Sequence, residues 1–108
     1  MQHWFILAIA IVLEVAGTTS LKLSDGLSRL IPTLCMALFY IASVGALALA
    51  VKKIEVSIAY AVWAGAGTAL IALIGILYFN ESANLVKVVS ILLIITGVAG
   101  LNLSSMKL

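Results

Sequence analysis

Four long apolar runs, separated by short polar segments, constrain this sequence more than any other feature. The runs cover roughly residues 4–21, 32–51, 56–79 and 85–106. A helix of about 20 apolar residues crosses the hydrocarbon core of a bilayer, so each run is long enough for one span. No run alternates apolar and polar residues as a barrel strand does. The sequence therefore predicts an all-α integral membrane protein with four transmembrane helices, in a single domain over residues 1–108.

The composition agrees with a chain that lies in the lipid bilayer. Of the 108 residues, 65% are hydrophobic and 9% are charged, whereas a soluble domain is about 25% charged. The first apolar run lacks a basic residue ahead of it, contains a carboxylate and precedes three more apolar runs. We therefore expect it to remain in the mature protein as a span, unlike a secretory signal.

The basic residues are divided equally between the two sides of the predicted bundle. Four spans with short loops place Lys52, Lys53 and Lys107 on one side, and Lys22, Arg29 and Lys87 on the other. Orientation follows the imbalance of Lys and Arg in short loops, so an equal division favours insertion in both orientations. Two oppositely inserted copies could pair as an antiparallel homodimer. Alternatively, the N-terminal amine or a partner protein sets one orientation.

Glu14 is the ionisable side chain that lies well inside an apolar run. A charge at the centre of a bilayer costs about 2.5 kcal/mol or more, and no basic residue within a span can pair with it. Helical spacing puts three small residues beside it, namely Ala10, Gly17 and Thr18. The pattern predicts a site that binds protons or a cation. The alternative is a permanently protonated glutamic acid that only forms hydrogen bonds between helices.

Aromatic residues within the spans supply a second part of a cation site. Tyr60 and Trp63 are three residues apart and share a face of the third span, and Tyr40 and Ser43 share a face of the second. An aromatic face that contacts a cation contributes about 0.5–2 kcal/mol. The pattern therefore favours a flat lipophilic cation as the ligand. Tyr60, near the start of its helix, is equally typical of an anchor at the membrane interface.

Small residues in the third and fourth spans have two interpretations. Gly65 and Gly67 weaken the middle of the third helix and could form a hinge, or they could allow close packing of helices. One face of the fourth span carries a stripe that suggests self-association, although packing within one subunit would explain it equally well. That stripe consists of Ser90, Ile94, Gly97 and Leu101.

The sequence provides no support for an enzyme. It has no nucleophile paired with a histidine base, no spacing typical of metal ligands and no glycine-rich phosphate loop, so we expect neither a metal nor a cofactor. The net charge of +2 is spread over both ends of the helices, which is not the basic patch of a nucleic-acid-binding protein. The expected partners are organic cations, protons and lipid.

Several motifs resemble the small multidrug resistance family of proton-coupled exporters, over nearly the whole chain. The most specific are Glu-Val-Ala-Gly-Thr-Thr at residues 14–19, Ser-Arg-Leu-Ile-Pro at 28–32, Ile-Ala-Tyr-Ala-Val-Trp at 58–63 and Gly-Val at 97–98. The resemblance implies a bacterial inner-membrane protein that forms an antiparallel, dual-topology homodimer. It implies that the two Glu14 side chains bind either protons or one cation, in mutual exclusion.

The resemblance also suggests roles for the residues around Glu14. It implies that Tyr40, Tyr60 and Trp63 line the substrate chamber, and we add Thr18, Ala10 and Ser43 as predicted substrate contacts. Gly17, Gly65 and Gly67 are predicted hinge or packing positions. The last helix is expected to hold the dimer together, although Ser90 stands where relatives carry a glycine.

The substrate expected from this resemblance is a quaternary ammonium cation. Guanidinium exporters of the family commonly carry a tryptophan just after the carboxylate, whereas Ala16-Gly17-Thr18 is similar to the quaternary-ammonium type. We therefore expect proton-coupled export of lipophilic, aromatic quaternary ammonium cations by alternating access. The alternatives are export of guanidinium or polyamines, possibly as a heterodimer with a related chain, and a non-transporting membrane subunit.

Overall fold

The computed structural model describes residues 2–107, the last three of them by their backbone alone. The described chain folds into four helices, α1 (Gln2–Leu23), α2 (Leu30–Ala50), α3 (Val56–Tyr78) and α4 (Leu85–Lys107). Each is long and apolar enough to cross a membrane. A helix satisfies its own backbone hydrogen bonds, which lipid cannot do. The predicted all-α architecture with four spans is confirmed.

The helix boundaries lie within two residues of the predicted ones. The second helix begins at Leu30, two residues before Pro32. A proline is tolerated there because the first four N–H groups of a helix have no partner within the helix. Arg29 precedes α2 in extended backbone, with φ −100° and ψ 123°.

The loop between α1 and α2 is organised by the buried hydroxyl of Ser24. Its Oγ donates to the carbonyl of Leu21 at 2.6 Å and accepts from the N–H of Leu27 at 3.0 Å. Asp25, Gly26 and Leu27 all have positive φ, of 51°, 71° and 68°. This backbone region is unfavourable for a leucine, so the bonds to Ser24 help to keep a tight connection between the two helices.

The loop before α4 contains both a helix cap and an ion pair. Asn84 accepts a hydrogen bond from the N–H of Lys87 at 2.8 Å and so caps the start of α4. The Lys87 ammonium lies 3.5 Å from the Glu81 carboxylate and donates to the carbonyl of Ser82 at 3.1 Å. The Glu81 carboxylate also contacts Gly75, at the position that a side chain there would occupy.

The chain divides into two compact units, one ending at Ile54 and the other beginning at Glu55. In the first unit α1 packs against α2, and in the second α3 packs against α4. Each is a helical hairpin with a short connection, which makes its two helices antiparallel neighbours. The prediction of one domain over the whole chain stays a prediction.

Candidate functional site

The candidate site of the first unit is centred on Glu14, a half-buried residue in the middle of α1. One helical turn further along, the hydroxyl of Thr18 donates a hydrogen bond to the Glu14 Oε2 atom at 2.9 Å. Residues four apart lie on the same helix face, so this contact follows directly from the sequence. A hydroxyl donor stabilises a charged carboxylate because it replaces part of its lost hydration.

Tyr40 extends this contact to the neighbouring helix. Its hydroxyl oxygen lies 2.8 Å from the Thr18 hydroxyl, across the α1–α2 packing. A threonine hydroxyl carries one hydrogen, which Thr18 donates to Glu14, so Tyr40 must donate to Thr18. The result is a directed chain of hydrogen bonds from Tyr40 through Thr18 to the carboxylate.

No basic side chain accompanies Glu14 in the described structure. Its recorded side-chain contact is the hydroxyl of Thr18, and the recorded ion pair of the described residues joins Lys87 to Glu81. All of α2 lacks Lys, Arg, His, Asp and Glu. Among the described residues of the first unit, the side chain seen to bond to Glu14 is thus a neutral hydroxyl, and the binding of a proton or a cation by Glu14 stays a prediction.

Ala10 and Ser43 form a second polar contact between α1 and α2. The Ser43 hydroxyl donates to the Ala10 carbonyl at 2.7 Å, and the two residues are 1% and 0% exposed. Ser43 therefore faces α1, as Tyr40 does three residues earlier, which confirms that they share a face. Their contact here joins two helices. Substrate binding by Ala10 and Ser43 stays a prediction.

The aromatic pair lies in the second unit, on α3. The ring centroids of Tyr60 and Trp63 are 6.1 Å apart, with a tilt of 40° between the ring planes. Tyr60 is 66% exposed and Trp63 is half-buried. The shared face predicted from their spacing is confirmed, and it leaves much of the Tyr60 ring accessible to a ligand or to lipid.

The glycines of α3 lie within a continuous helix. Gly65 and Gly67 are both buried, and α3 continues through them to Tyr78. A side chain at Gly65 would clash with Val98 of α4, and it would also contact Ile94. Close helix packing, one of the two predicted roles, is therefore seen at Gly65. A hinge at Gly65 or Gly67 stays a prediction.

The stripe predicted for self-association is exposed on α4. Ile94 and Leu101 are 44% and 42% exposed, and Ser90 and Gly97 are also exposed. A methyl group added at Gly97 would meet no atom within 4 Å. Within the described chain this face is thus largely uncovered, apart from the approach of Ile94 to Gly65. Its role in dimerisation stays a prediction.

Sequence reasoning did not find the link between Gly17 and Tyr40. A Cβ atom at Gly17 would lie 2.6 Å from both Cδ1 and Cε1 of Tyr40, so the tyrosine ring occupies the space left by the glycine. Gly17 was predicted only as a hinge or packing position. A glycine directly before Thr18 indicated that a neighbouring helix could approach closely at this point. The sequence could not identify Tyr40 as the residue whose ring packs there.

Comparison with known proteins identifies the family. The family model described as Small Multidrug Resistance protein matches residues 2–94. The chain is 52% identical over 102 residues to YvaE, an uncharacterized membrane protein of Bacillus subtilis (strain 168), across 94% of this chain and 86% of that protein. It is 44% identical over 102 residues to a guanidinium exporter of Yersinia pseudotuberculosis, across 94% of this chain and 98% of that protein.

A further relative is a subunit of an export pump. The chain is 40% identical over 102 residues to NepA of Paenarthrobacter nicotinovorans, a nicotine metabolites export pump subunit, across 94% of this chain and 88% of that protein. Together with its four spans, these matches define a small multi-pass membrane exporter, which in bacteria lies in the inner membrane. The chain belongs to the small multidrug resistance family, whose members are transporters and not enzymes.

Proposed function

We propose that this chain exports small organic cations in exchange for protons, and that guanidinium compounds are its substrate class. The observation that carries this proposal is the carboxylate of Glu14, which sits within an apolar helix with a hydroxyl donor and no basic partner among the described residues. Relatives named guanidinium exporters, at 44% and 43% identity, support guanidinium over the quaternary ammonium cations expected from the sequence.

The donors and acceptors around Glu14 suit a guanidinium ion. Guanidinium is planar and presents paired N–H donors that match the two oxygens of a carboxylate. Among the described residues, Oε2 accepts the bond from Thr18, and Oε1 has no recorded bond. The hydroxyl oxygens of Thr18 and Tyr40 lie beside the carboxylate, and each could accept a further N–H bond.

We assign the aromatic pair of α3 to the same ligand chemistry. A guanidinium plane stacks on aromatic faces, with a contribution of about 0.5–2 kcal/mol for each contact. Tyr60 and Trp63 present two tilted rings, and Tyr60 is largely exposed. Their part in substrate binding rests on this chemistry and on the family.

Coupling to protons follows from competition for one group. A proton and a cation both neutralise the Glu14 carboxylate, so binding of one lowers the affinity for the other by the same factor. A proton gradient can then drive cation export if the site faces the two sides of the membrane alternately. No separate path for protons is required.

Quaternary ammonium cations are the second candidate substrate. They have no N–H donors, so their binding depends on charge and on contact with aromatic faces. The open face of Tyr60 favours them, as does the resemblance of Ala16-Gly17-Thr18 to the quaternary-ammonium type of the family.

We also propose that the working unit is an antiparallel homodimer with dual topology. The equal division of basic residues between the two sides supports insertion in both orientations. The uncovered stripe of α4 offers a surface for the second copy. Reporter tags at the C-terminus should be found on both sides of the membrane, and detection on one side only would contradict this arrangement.

The experiment for the substrate uses purified protein in liposomes with a pH gradient. We expect guanidinium uptake that depends on the gradient, with protons moving in the opposite direction. An aromatic quaternary ammonium cation and a polyamine are tested in parallel. Transport of either one without guanidinium would overturn the guanidinium assignment. If this protein moves no cation alone, it would be a non-transporting subunit or would require a related partner chain.

A further inference from the structure

The hydrogen-bond chain that ends at Glu14 depends on a residue that touches neither a proton nor a cation. We propose that Gly17 is a positioning residue: its missing Cβ lets the Tyr40 ring lie against α1, so that the Tyr40 hydroxyl supports the charged form of Glu14 through Thr18. This inference deepens the proposed function, because the charged form is the one that binds a cation.

The Tyr40 ring lies closely against α1 at Gly17. A Cβ there would lie 2.6 Å from two atoms of the Tyr40 ring and 3.3 Å from Cβ of Phe39. A carbon cannot lie 2.6 Å from an aromatic carbon without displacement of one of them. The ring is the more easily moved of the two, and its movement would draw the hydroxyl away from Thr18.

The two hydrogen bonds point from Tyr40 towards the carboxylate of Glu14. Thr18 donates to Glu14 at 2.9 Å, so Tyr40 must donate to Thr18 at 2.8 Å. Donors aimed at a carboxylate favour its charged form, and a donor behind the first one strengthens it by polarisation. A neutral Glu14 that carries its proton on Oε2 would have to donate to Thr18, which requires the bond between these two residues to reverse.

Few other groups could change the charge of Glu14 within this unit. Its own helix presents Thr18, and it also carries His3 and Lys22, each more than two helical turns from Glu14 along the chain. The neighbouring helix α2, which packs against α1, presents Tyr40. The other titratable residue of α2 is Cys35, five residues before Tyr40, and α2 has no charged residue. Displacement of Tyr40 would therefore act on Glu14 through Thr18.

The test measures the protonation of Glu14 itself, so it does not depend on knowing the substrate. Full-length protein in lipid is labelled with ¹³C at the glutamate carboxyls, and the chain has three glutamates, at positions 14, 55 and 81. Glu14→Gln identifies the resonance of Glu14, and the other two serve as internal references. The midpoint of the Glu14 titration is followed in each variant.

We expect Gly17→Ala to shift that midpoint, because the displaced Tyr40 hydroxyl no longer supports the bond from Thr18 to the carboxylate. Tyr40→Phe keeps the ring but removes the donor, and should shift the midpoint in the same direction and by the same amount. The double variant should show no further shift. Gly45→Ala is the matched control, since a Cβ there meets no atom within 4 Å, and it should leave the midpoint unchanged.

Other results would overturn the inference. An unchanged midpoint in Gly17→Ala with a shifted one in Tyr40→Phe would mean that the glycine does not position the ring. Additive shifts in the double variant would mean that the two residues act separately. A mere packing role for Gly17 would lower the yield of folded protein without moving the midpoint. Failure of cation transport by the wild-type protein would refute the proposed function, but it would leave this titration readable.

Discussion

Glu14 and Glu81 show how differently the two units treat a carboxylate. Glu14 lies within an apolar helix, where its recorded partner is a neutral hydroxyl. Glu81 lies in the loop before α4, where Lys87 stands 3.5 Å away and the side chain is 46% exposed. The first carboxylate is therefore bonded to a neutral group, whereas the second is paired with an ammonium group of the same chain. This difference is the reason why we propose Glu14, and not Glu81, as the ligand site.

The two units also differ in the kind of contact that packs their helices together. The α1–α2 unit joins its helices with polar contacts, from Tyr40 to Thr18 and from Ser43 to Ala10. The α3–α4 unit relies on a glycine, Gly65, that admits the side chain of Val98. None of the described side chains of α4 is buried. The first unit thus joins its helices through polar contacts, whereas the second leaves most of α4 exposed.

Removing the unpaired carboxylate should have the largest effect. Glu14→Gln keeps the shape of the side chain but cannot be charged, so we expect the complete loss of pH-dependent cation binding and of transport. Glu81→Gln removes a half-exposed ion pair worth about 0–1 kcal/mol and should leave both intact. Cation binding and transport, each measured as a function of pH, test both variants. Retained proton-coupled transport in Glu14→Gln would refute the proposed mechanism.

Removing the hydroxyl beside Glu14 should have the next largest effect. A hydrogen bond to a charged group contributes about 1.5–3 kcal/mol, so Thr18→Val should weaken cation binding about tenfold or more. Thr19→Val is the matched control, because its hydroxyl donates to the Val15 carbonyl at 2.9 Å and not to Glu14. The cation affinity of both variants is measured in lipid, at equilibrium and at a single pH. Equal losses in the two would show that the Thr18 contact has no special role.

In the second unit, we expect the main effect on stability from Gly65→Ala. The added methyl group would clash with Val98, and overpacking of this kind costs about 1–3 kcal/mol. Val98→Ala in the same chain should recover part of the loss. Gly100→Ala, whose methyl group would meet no atom within 4 Å, is the control. The free energy of unfolding in detergent is measured for all of these variants. If Val98→Ala does not recover stability in the Gly65→Ala chain, the contact between Gly65 and Val98 does not cause the loss.

The smallest effect is expected from the buried bond between Ser43 and Ala10. Ser43→Ala removes a hydrogen bond of the kind that contributes about 1 kcal/mol between membrane helices. Ser57, exposed near the start of α3, provides the control Ser57→Ala. The same unfolding measurement checks both. A loss of cation affinity in Ser43→Ala without a loss of stability would instead favour the predicted substrate contact.

Much of the candidate site could be predicted from the sequence because it depends on spacing along single helices. Glu14 and Thr18 are four residues apart and Tyr60 and Trp63 are three apart, so helical geometry alone puts each pair on one face. The contacts of Tyr40 and Ser43 with α1 could not be predicted in this way. They join residues 22 and 33 positions apart, and they depend on the rotation and depth at which two helices pack.

The sequence by itself determined the fold class, the number of spans and the unpaired carboxylate. Each of these follows from the cost of placing polar groups in lipid, which acts on every residue whatever its neighbours are. Only the tertiary structure decided that Gly17 admits the Tyr40 ring, that Tyr40 donates through Thr18 to Glu14, and that Gly65 admits Val98. A glycine leaves space for a neighbour without specifying which one, so its partner is decided by how the helices pack.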